Sequence, residues 1–509
     1  MKKIIIAISA LAVLLRSSCT KEFVTVKHNS SEPQSEYYIN ESRMFEGLVA
    51  AYDPLKWYDY FYQYTDFQMM SDIMADDIYC GGSNDGDQPS LVKIHYYTST
   101  PTEIVDVPWT VSYSGINRCC HVLENVDNVP GMSDEAKALY KAEATILKAF
   151  YYTILWKFWG NVPYYDENLT APYVTAQLSA DEVYQNIVTK IEEALAMNVL
   201  PMKQTPENYG RVTKAMAYML YAEVVMYQKD SGRYSQALSF MQEIITSGQY
   251  SLVADFAGMW AETGEWGNES IWEINYISEG GVRDWGAPLA TGGNVYSTLI
   301  GIPGGVANQF DDGWGFSPVA AKAYDMYEDG DTRKDGGIYN HLAVVGEYGN
   351  GVSGGRWQST GYFLLKYIAR TNGNHGYKAA NTMNYGNNKR VYRYAETLLN
   401  AAELAELTTG SGSGSDYLAQ VRAIRNCSDT DNSIDAIIEE RHKEFVGEGK
   451  RYWDLVRTGK AAQVLTAANR SFDGSQPVDW TENKKYWPIP QAEIDKTAST
   501  EYPIQQNNY

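Results

Sequence analysis

The residues of this chain that could act chemically on a substrate are carboxylates and histidines, and their spacing argues against catalysis. Two adjacent acidic pairs, Asp76-Asp77 and Asp311-Asp312, could imitate the two carboxylates of a glycosidase. Such pairs are common in a chain with a net charge of -21, however. The six histidines lack metal-ligand spacing, and there is neither a G-x-S-x-G motif nor a phosphate-binding loop. The sequence therefore predicts no catalytic site, with hydrolysis as a minor alternative.

Two acidic turns are candidate cation ligands. They read Asn-Asp-Gly-Asp at residues 84–87 and Glu-Asp-Gly-Asp at residues 328–331. Hard oxygen ligands of this kind suit calcium. Neither turn completes a known calcium loop, so solvated acidic turns are the favoured interpretation and structural calcium is the alternative. No other metal or cofactor is predicted.

The best candidate functional residues are aromatic. Sugar rings bind by laying their C–H faces on flat side chains, while Asn, Asp or Arg hold the hydroxyls. Loop residues of these types are the candidate ligand contacts: Tyr79, Arg283, Asp284, Trp285, Asn294, Tyr296, Trp314 and Trp357. Trp285 and Trp314 are the strongest candidates, because each adjoins a glycine that lets a ligand approach the backbone. For any single aromatic residue the alternative is a packing role in the core.

The elements that must position these loops are mainly helices. Apolar residues recur at helical spacing in seven stretches: 109–126, 134–159, 179–200, 210–228, 234–247, 391–407 and 415–426. Ser179 and Glu182 form a capping box at the start of the third stretch. The pairs at 210–247 and 391–426 are typical of tetratricopeptide repeats of about 34 residues. The sequence thus predicts a mainly α, tetratricopeptide-like helical-repeat scaffold, although any antiparallel helix pair would use alanine in the same way.

A loop-rich insertion lies between these helical parts. Residues 266–389 are rich in Gly, Asn, Trp and Tyr, with a single predicted helix at 318–327 and short predicted strands at 271–276 and 362–367. Binding residues tend to collect on loops that a rigid scaffold supports. The sequence therefore divides into an N-terminal helical region at 42–265, a ligand-binding region at 266–389 and a C-terminal region at 390–509.

The N-terminus is predicted to be a targeting segment. Lys2-Lys3 precedes an apolar run, residues 4–15, that is too short to span a bilayer. Small residues just before Cys19 are typical of a lipoprotein signal. We therefore expect residues 1–18 to be removed, Cys19 to carry acyl chains, and residues 19–41 to form a polar tether. Several chains together anchor stably, at about 0.8 kcal/mol per buried methylene. The alternative is an ordinary signal peptide with a chance Cys.

Charge and cysteine usage restrict the partners and the redox chemistry. A net charge of -21 argues against nucleic-acid binding and against electrostatic adhesion to anionic lipid. Four further cysteines, Cys80, Cys119, Cys120 and Cys427, would permit disulfides in an exported protein. Because Cys119 and Cys120 are adjacent on a predicted helix and point to different faces, buried free thiols are favoured over a disulfide framework.

The segment at residues 439–460, EERHKEFVGEGKRYWDLVRTGK, alternates charges with core-type residues. A solvated helix would keep its charges on one face. Charges turned inward are tolerable only as hydrogen-bonded ion pairs. We therefore predict structural roles for Glu440, Arg441, Glu448 and Arg451, with a surface charge lattice as the alternative.

This segment closely resembles the C-terminal signature of the SusD/RagB family, ER-x-x-EF-x-x-EG-x-R-Y-x-D-L-x-R-x-G. Residues 486–509, YWPIPQAEIDKTASTEYPIQQNNY, resemble the closing segment of the family, and W-x-x-x-Y-x-x-I-N at 109–117 resembles one of its helices. Asp495-Lys496-Thr497 stands where the family usually has an Asn, which affects only a local turn.

The resemblance implies a surface lipoprotein of the kind that Bacteroidetes use for nutrient uptake. Such a protein would be lipid-anchored in the outer membrane, face the cell exterior and have a SusD-like fold. It would capture an oligosaccharide or polysaccharide and deliver it to a TonB-dependent (SusC-like) transporter. Two alternatives remain: peptide capture, as in the RagB branch, and a helical-repeat scaffold for protein interaction without a small ligand.

Overall fold

The computed structural model describes residues 37–345, 356–371, 382–472, 474–475 and 477–509. The predicted signal peptide, Cys19 and most of the predicted tether lie outside these residues. Within the described ranges, no helix is both long and apolar enough to cross a membrane. The described part is mainly helical, as the sequence predicts.

The N-terminal region consists of eight helices and one small hairpin in the part of it that is described. The helices are α1 (Glu41–Tyr52), α2 (Phe67–Ile73), α3 (Pro89–Tyr96), α4 (Val107–Asn125), α5 (Asp134–Trp159), α6 (Ala180–Ala196), α7 (Lys214–Gln228) and α8 (Tyr234–Thr246). The antiparallel strands β1 (Val162–Pro163) and β2 (Gln177–Leu178) lie between α5 and α6. The capping box of α6 is confirmed, because Glu182 N donates to Ser179 Oγ and Ser179 N donates to the Glu182 carboxylate.

The insertion contains short elements. They are β3 (Ser270–Ile274), α9 (Tyr296–Ile300), α10 (Ala321–Asp325), α11 (Thr332–Gly337), β4 (Ile338–Asn340), α12 (Leu342–Val345) and β5 (Tyr362–Leu364), followed by β6 (Lys389–Arg393). β3 pairs with β6 and β4 pairs with β5, both antiparallel. The β3–β6 ladder pairs the segment at residues 270–274 with the segment at residues 389–393.

Three details of the sequence prediction are wrong here. The described part of the insertion contains four short helices, α9 to α12, where the sequence predicted one. The segment predicted to be a helix at 318–327 is helical only from Ala321 to Asp325. The residues before it are hydrogen-bonded to neighbouring segments instead: Pro318 O accepts from Tyr79 N, and Val319 N donates to Tyr362 O. The helix predicted to start at residue 391 starts at 394, because the preceding residues form β6 and pair with β3.

The C-terminal region returns to helices. They are α13 (Tyr394–Thr408), α14 (Ser415–Arg425), α15 (Ile434–Phe445), α16 (Arg451–Arg457), α17 (Ala461–Val464), α18 (Ala467–Arg470) and α19 (Gln491–Thr497). The pairs α7–α8 and α13–α14 pack within themselves, and α8 packs on α13. Helix pairs from distant parts of the chain thus stack side by side, and the predicted mainly α, tetratricopeptide-like scaffold is confirmed.

The end of the chain closes the scaffold onto α5. Gly160 ends that helix at a positive φ of 68°, and a Cβ at this position would meet the Tyr486 ring at 2.8 Å. Asn507 Nδ2 donates to Trp159 O at 2.6 Å and to Trp487 O at 2.9 Å. A carbonyl left unpaired by the helix end thereby gains a partner from the last residues of the chain.

Candidate functional site

Two tryptophans from different loops of the insertion come together at the surface. The ring centroids of Trp285 and Trp314 are 5.7 Å apart, and their planes differ by only 22°. Tyr60 meets Trp285 edge-on at 5.2 Å, and Tyr64 meets Trp314 edge-on at 5.6 Å. Trp285 is 44% exposed, whereas Trp314 is half-buried. The pair therefore presents flat apolar surface to solvent while tyrosines from the N-terminal region fix its position.

A third tyrosine extends this surface. Tyr62 is 62% exposed and lies between Tyr60 and Tyr64 in a turn with a positive φ of 65°. We call Tyr60, Tyr62, Tyr64, Trp285 and Trp314 the aromatic platform. Residues 57–64, WYDYFYQY, are dense in aromatic residues, but the three tyrosines were not among the candidate site residues. That density was the signal that could have found them.

Arg283 holds the platform together from below. Its side chain is buried, and its two terminal nitrogens donate to the Asp59 carboxylate at 3.0 and 2.7 Å. It also donates to Tyr60 O at 2.6 Å and to Gly293 O at 2.8 Å. Burial opposes the guanidinium charge, but Asp59 outweighs burial and raises the pKa of Arg283. Arg283 thus ties the Trp285 loop to the segment that carries Tyr60, and it does not face a ligand as the sequence predicted.

Asn294 and Tyr296 are also placed in the interior rather than at the surface. Asn294 Nδ2 donates to Asn387 O at 2.9 Å, and its Oδ1 accepts from Tyr296 N at 2.7 Å. The Tyr296 ring is buried, with Lys389 Nζ 4.4 Å from its centroid. Both residues are buried in the interior, so the structure does not place them where the predicted contact with a ligand would be made.

Asp284 shapes the turn that exposes Trp285. Its Oδ1 accepts from Gly286 N at 2.7 Å and from Ala287 N at 2.9 Å. A side chain bonded to the backbone two residues later is the usual way for an Asp to stabilise a turn. Asp284 is exposed beside the indole and remains a candidate ligand contact.

Of the remaining two candidates, Trp357 lines a separate cleft and Tyr79 packs against one of the residues that line it. This cleft, which we call the Trp357 cleft, has a volume of about 580 Å³ and is lined by Asp85, Lys93, Tyr96, Arg356, Trp357 and Phe472. Tyr96 meets Trp357 edge-on at 6.5 Å. Tyr79 lies behind the cleft wall, with its ring 5.1 Å from that of Phe472 and 6.1 Å from that of His95.

The acidic groups considered as catalytic or metal-binding are engaged within the protein. Asp312 Oδ1 accepts from Gly304 N at 2.6 Å, and Asp76 Oδ1 accepts from Arg451 Nε at 3.1 Å. In the acidic turns, Asp87 accepts from Ser83 Oγ at 2.7 Å and Asp331 pairs with Arg333. Among the described residues, no three His, Cys, Asp or Glu side chains are grouped as a metal site would require.

The four charges predicted to be structural, Glu440, Arg441, Glu448 and Arg451, are buried and ion-paired. Glu440 lies between Arg333 and Arg422, and Glu448 lies between Lys366 and Arg393. This network of ion pairs therefore links α15 and the turn after it to the insertion that carries the Trp residues.

Glu444 is the centre of this network, and sequence reasoning did not select it. Burial alone would raise its pKa, but Arg425, Arg393 and Arg333 together hold the pKa well below its ordinary value. A carboxylate that touches three guanidinium groups stays charged, because each of them favours the charged form.

Arg441 and Arg451 make separate ion pairs with Asp454 and Asp76. Arg441 Nε donates to Asp454 Oδ2 at 2.9 Å and its Nη1 donates to Asn400 Oδ1 at 2.6 Å. Arg451 bonds Asp76, as described above, and joins α16 to the segment before Tyr79. All four cysteines within the described part of the chain are free thiols, as the sequence favoured. Cys80, Cys119 and Cys120 are buried, as expected, whereas Cys427 is half-buried.

Comparison with known proteins places this architecture in one family. The family model described as "SusD family" matches residues 338–509. The model described as "Starch-binding associating with outer membrane" matches residues 23–226. The chain belongs to the SusD family.

Three solved structures are similar over nearly the whole chain. Surface glycan-binding protein A from Bacteroides thetaiotaomicron is 45% identical, with 93% of this chain and 100% of that chain covered and a TM-score of 0.86. The same protein in complex with laminarihexaose is 44% identical, with 92% and 100% covered and a TM-score of 0.85. A laminarin binding SusD-like protein is 29% identical, with 92% and 99% covered and a TM-score of 0.79.

Proposed function

We propose that this protein captures a glucan of the laminarin type, a chain of β-1,3-linked glucose, on the aromatic platform. The observation that carries the proposal is the surface pair of nearly parallel indoles, Trp285 and Trp314. Pyranose rings have C–H faces that pack on such side chains. A structure of the 44% identical relative was solved in complex with laminarihexaose, which supports the choice of ligand.

The platform suits capture without chemistry. Its tyrosines and tryptophans supply flat apolar area, and the exposed Asp284 carboxylate supplies a hydrogen-bond acceptor for sugar hydroxyls. The acidic pairs are bonded within the protein, so binding is favoured over hydrolysis. We therefore assign the protein a binding role, with release of the intact glycan to a partner.

The family supports a proposal for the cellular setting. The description of the N-terminal family model names association with the outer membrane. We propose that Cys19 is lipidated, that the folded part faces the cell exterior, and that a TonB-dependent (SusC-like) transporter receives the glycan. The lipid anchor and the transporter rest on the sequence resemblance.

Calorimetric titration with laminarihexaose, cellohexaose, maltohexaose and a peptide mixture tests the proposal. Wild type is expected to bind laminarihexaose most tightly of these ligands. Chromatography of laminarihexaose after incubation with the protein should detect no shorter sugars. Trp285→Ala and Trp314→Ala should each lose on the order of 2 kcal/mol, about thirtyfold in affinity, because a stacking residue at the centre of a site contributes most.

Tyr173→Ala is the matched control. Tyr173 is an aromatic residue that is 71% exposed, and it lies among residues of α4 and α19 rather than of the platform. Its truncation should leave the affinity unchanged. Full affinity in both Trp variants would remove the platform as the site, and binding only to peptides would overturn the glycan assignment.

A further inference from the structure

The Trp357 cleft is joined to the aromatic platform through the backbone. Gly82 N donates to Gly315 O at 3.1 Å, and Trp357 N donates to Gly82 O at 3.0 Å. The backbone at Trp357 and the backbone next to Trp314 are thus each one hydrogen bond away from Gly82. The two aromatic surfaces are therefore near neighbours.

Gln358 makes this junction rigid. Its buried Oε1 accepts from Cys80 N at 3.0 Å and from Gly81 N at 3.1 Å. Gly81 has a positive φ of 72°, and a Cβ there would meet Gly315 O at 2.3 Å. The segment around Gly81 is thus held between the loops of the two tryptophans with no room for a larger residue.

Arg356 lies between the two surfaces. A Cβ on Gly315, the residue after Trp314, would be 3.5 Å from Arg356 Cγ. Arg356 is half-buried, and no hydrogen bond or ion pair connects it to another residue in the part of the chain that the structure describes. A guanidinium offers five N–H donors, so this side chain is placed to hold hydroxyls of a molecule that crosses from one surface to the other.

The composition of the cleft suits a sugar better than an apolar ligand. Tyr96, Trp357 and Phe472 provide aromatic surface, while Asp85 and Lys93 provide polar groups at the rim. Lys93 is anchored by Glu103 at 2.8 Å. A few fixed polar groups around an aromatic wall are the usual features of a specific small-molecule site.

We propose that the Trp357 cleft is a second sugar subsite, continuous with the aromatic platform, so that one glucan chain contacts both. This inference rests on the proposed function, because the platform must bind the same chain. A chain long enough to reach both surfaces binds its second part intramolecularly, at a high effective concentration. The protein therefore discriminates by chain length: a trisaccharide is held by the platform alone, whereas a hexasaccharide is held by both surfaces.

Calorimetry with laminaritriose and laminarihexaose on the same protein preparations tests the inference. Wild type should bind the hexasaccharide at least about tenfold more tightly than the trisaccharide. Trp357→Ala should remove most of that advantage, about tenfold, while the trisaccharide affinity stays within about twofold. Trp285→Ala should weaken both ligands, and Tyr173→Ala should weaken neither.

Arg356→Ala keeps the test independent of folding, because this side chain makes no hydrogen bond or ion pair within the described ranges of the chain. It should lower the hexasaccharide affinity selectively, and thermal melting of each variant verifies that it is folded. Wild-type hexasaccharide affinity in both Trp357→Ala and Arg356→Ala would overturn the second subsite while leaving the platform intact. If the wild type binds neither sugar, the proposed function itself fails.

Discussion

Removing the Arg441 side chain should destabilise the fold without changing ligand specificity. Arg441 is buried on α15, where it bonds Asp454 and Asn400 and lies 3.6 Å from a Glu396 oxygen. Its guanidinium is also 5.3 Å from the centroid of the Phe445 ring. Arg441→Ala would remove the charge, both hydrogen bonds and the packed stem in one step.

The expected loss of unfolding free energy depends on which ion pairs the partners of Arg441 keep. Breaking a buried ion pair by removing one member costs ~3–5 kcal/mol, because the other charge is left uncompensated. Here Asp454 keeps Arg457 at 2.7 Å, and Glu396 keeps Lys450 at 3.1 Å. The loss should therefore fall at the lower end, about 3 kcal/mol, or roughly a hundredfold in the folding equilibrium at 1.4 kcal/mol per decade.

Urea denaturation of wild type and variants measures this loss. Arg441→Met retains most of the apolar stem, so a similar loss in Arg441→Met and Arg441→Ala would assign the cost to charge rather than to packing. Lys460→Ala is the matched control, because Lys460 pairs with Asp435 at the surface, where the Asp435 side chain is 72% exposed. A surface pair of this kind contributes less than about 1 kcal/mol.

The ligand measurement decides the role of the segment. At a temperature where Arg441→Ala is still folded, its affinity for laminarihexaose should equal that of wild type. A variant with normal stability that no longer binds the sugar would refute the reasoning, because Arg441 would then belong to a binding surface rather than to the scaffold.

Two further predictions concern the N-terminus and pH. Cys19→Ala should move the protein from the membrane fraction to the soluble fraction, and unchanged membrane association and surface labelling in that variant would contradict lipidation. Burial would raise the pKa of Asp454, but Arg441 and Arg457 lower it to about 2, against about 3.9 in an unfolded chain. A carboxylate whose pKa is lower in the folded chain than in the unfolded chain stabilises the fold at any pH above its unfolded pKa. The stabilisation by Asp454 should therefore be complete above about pH 4 and should be lost as the pH falls toward 2. Between about pH 4 and pH 2 the unfolding midpoint of Asp454→Asn should therefore fall less steeply with pH than that of wild type. An unchanged slope would argue against the ion pairs of Asp454 with Arg441 and Arg457.

The sequence by itself determined the helical scaffold. Helical periodicity is a local property, so α5 begins and ends at the residues that the pattern predicts, and the capping box of α6 forms between residues three apart. The ion pairing of the C-terminal segment was also predictable, because charges among core-type residues need partners. The partners themselves were not: Arg333 and Lys366 lie far away in the sequence, in the insertion.

Only the tertiary structure decided which candidate residues reach the surface. Trp285 and Trp314 meet there, but Arg283, between the same loops, is buried because Asp59 lies beneath it. Residue type alone does not predict whether such a side chain is buried or exposed. A polar side chain is stable inside the protein only when it has a hydrogen-bonding or charged partner there, and that partner can be distant in the sequence. Tyr60 and Tyr64 could not be predicted from the sequence for the same reason. They contact two tryptophans that lie more than 200 residues further along the chain.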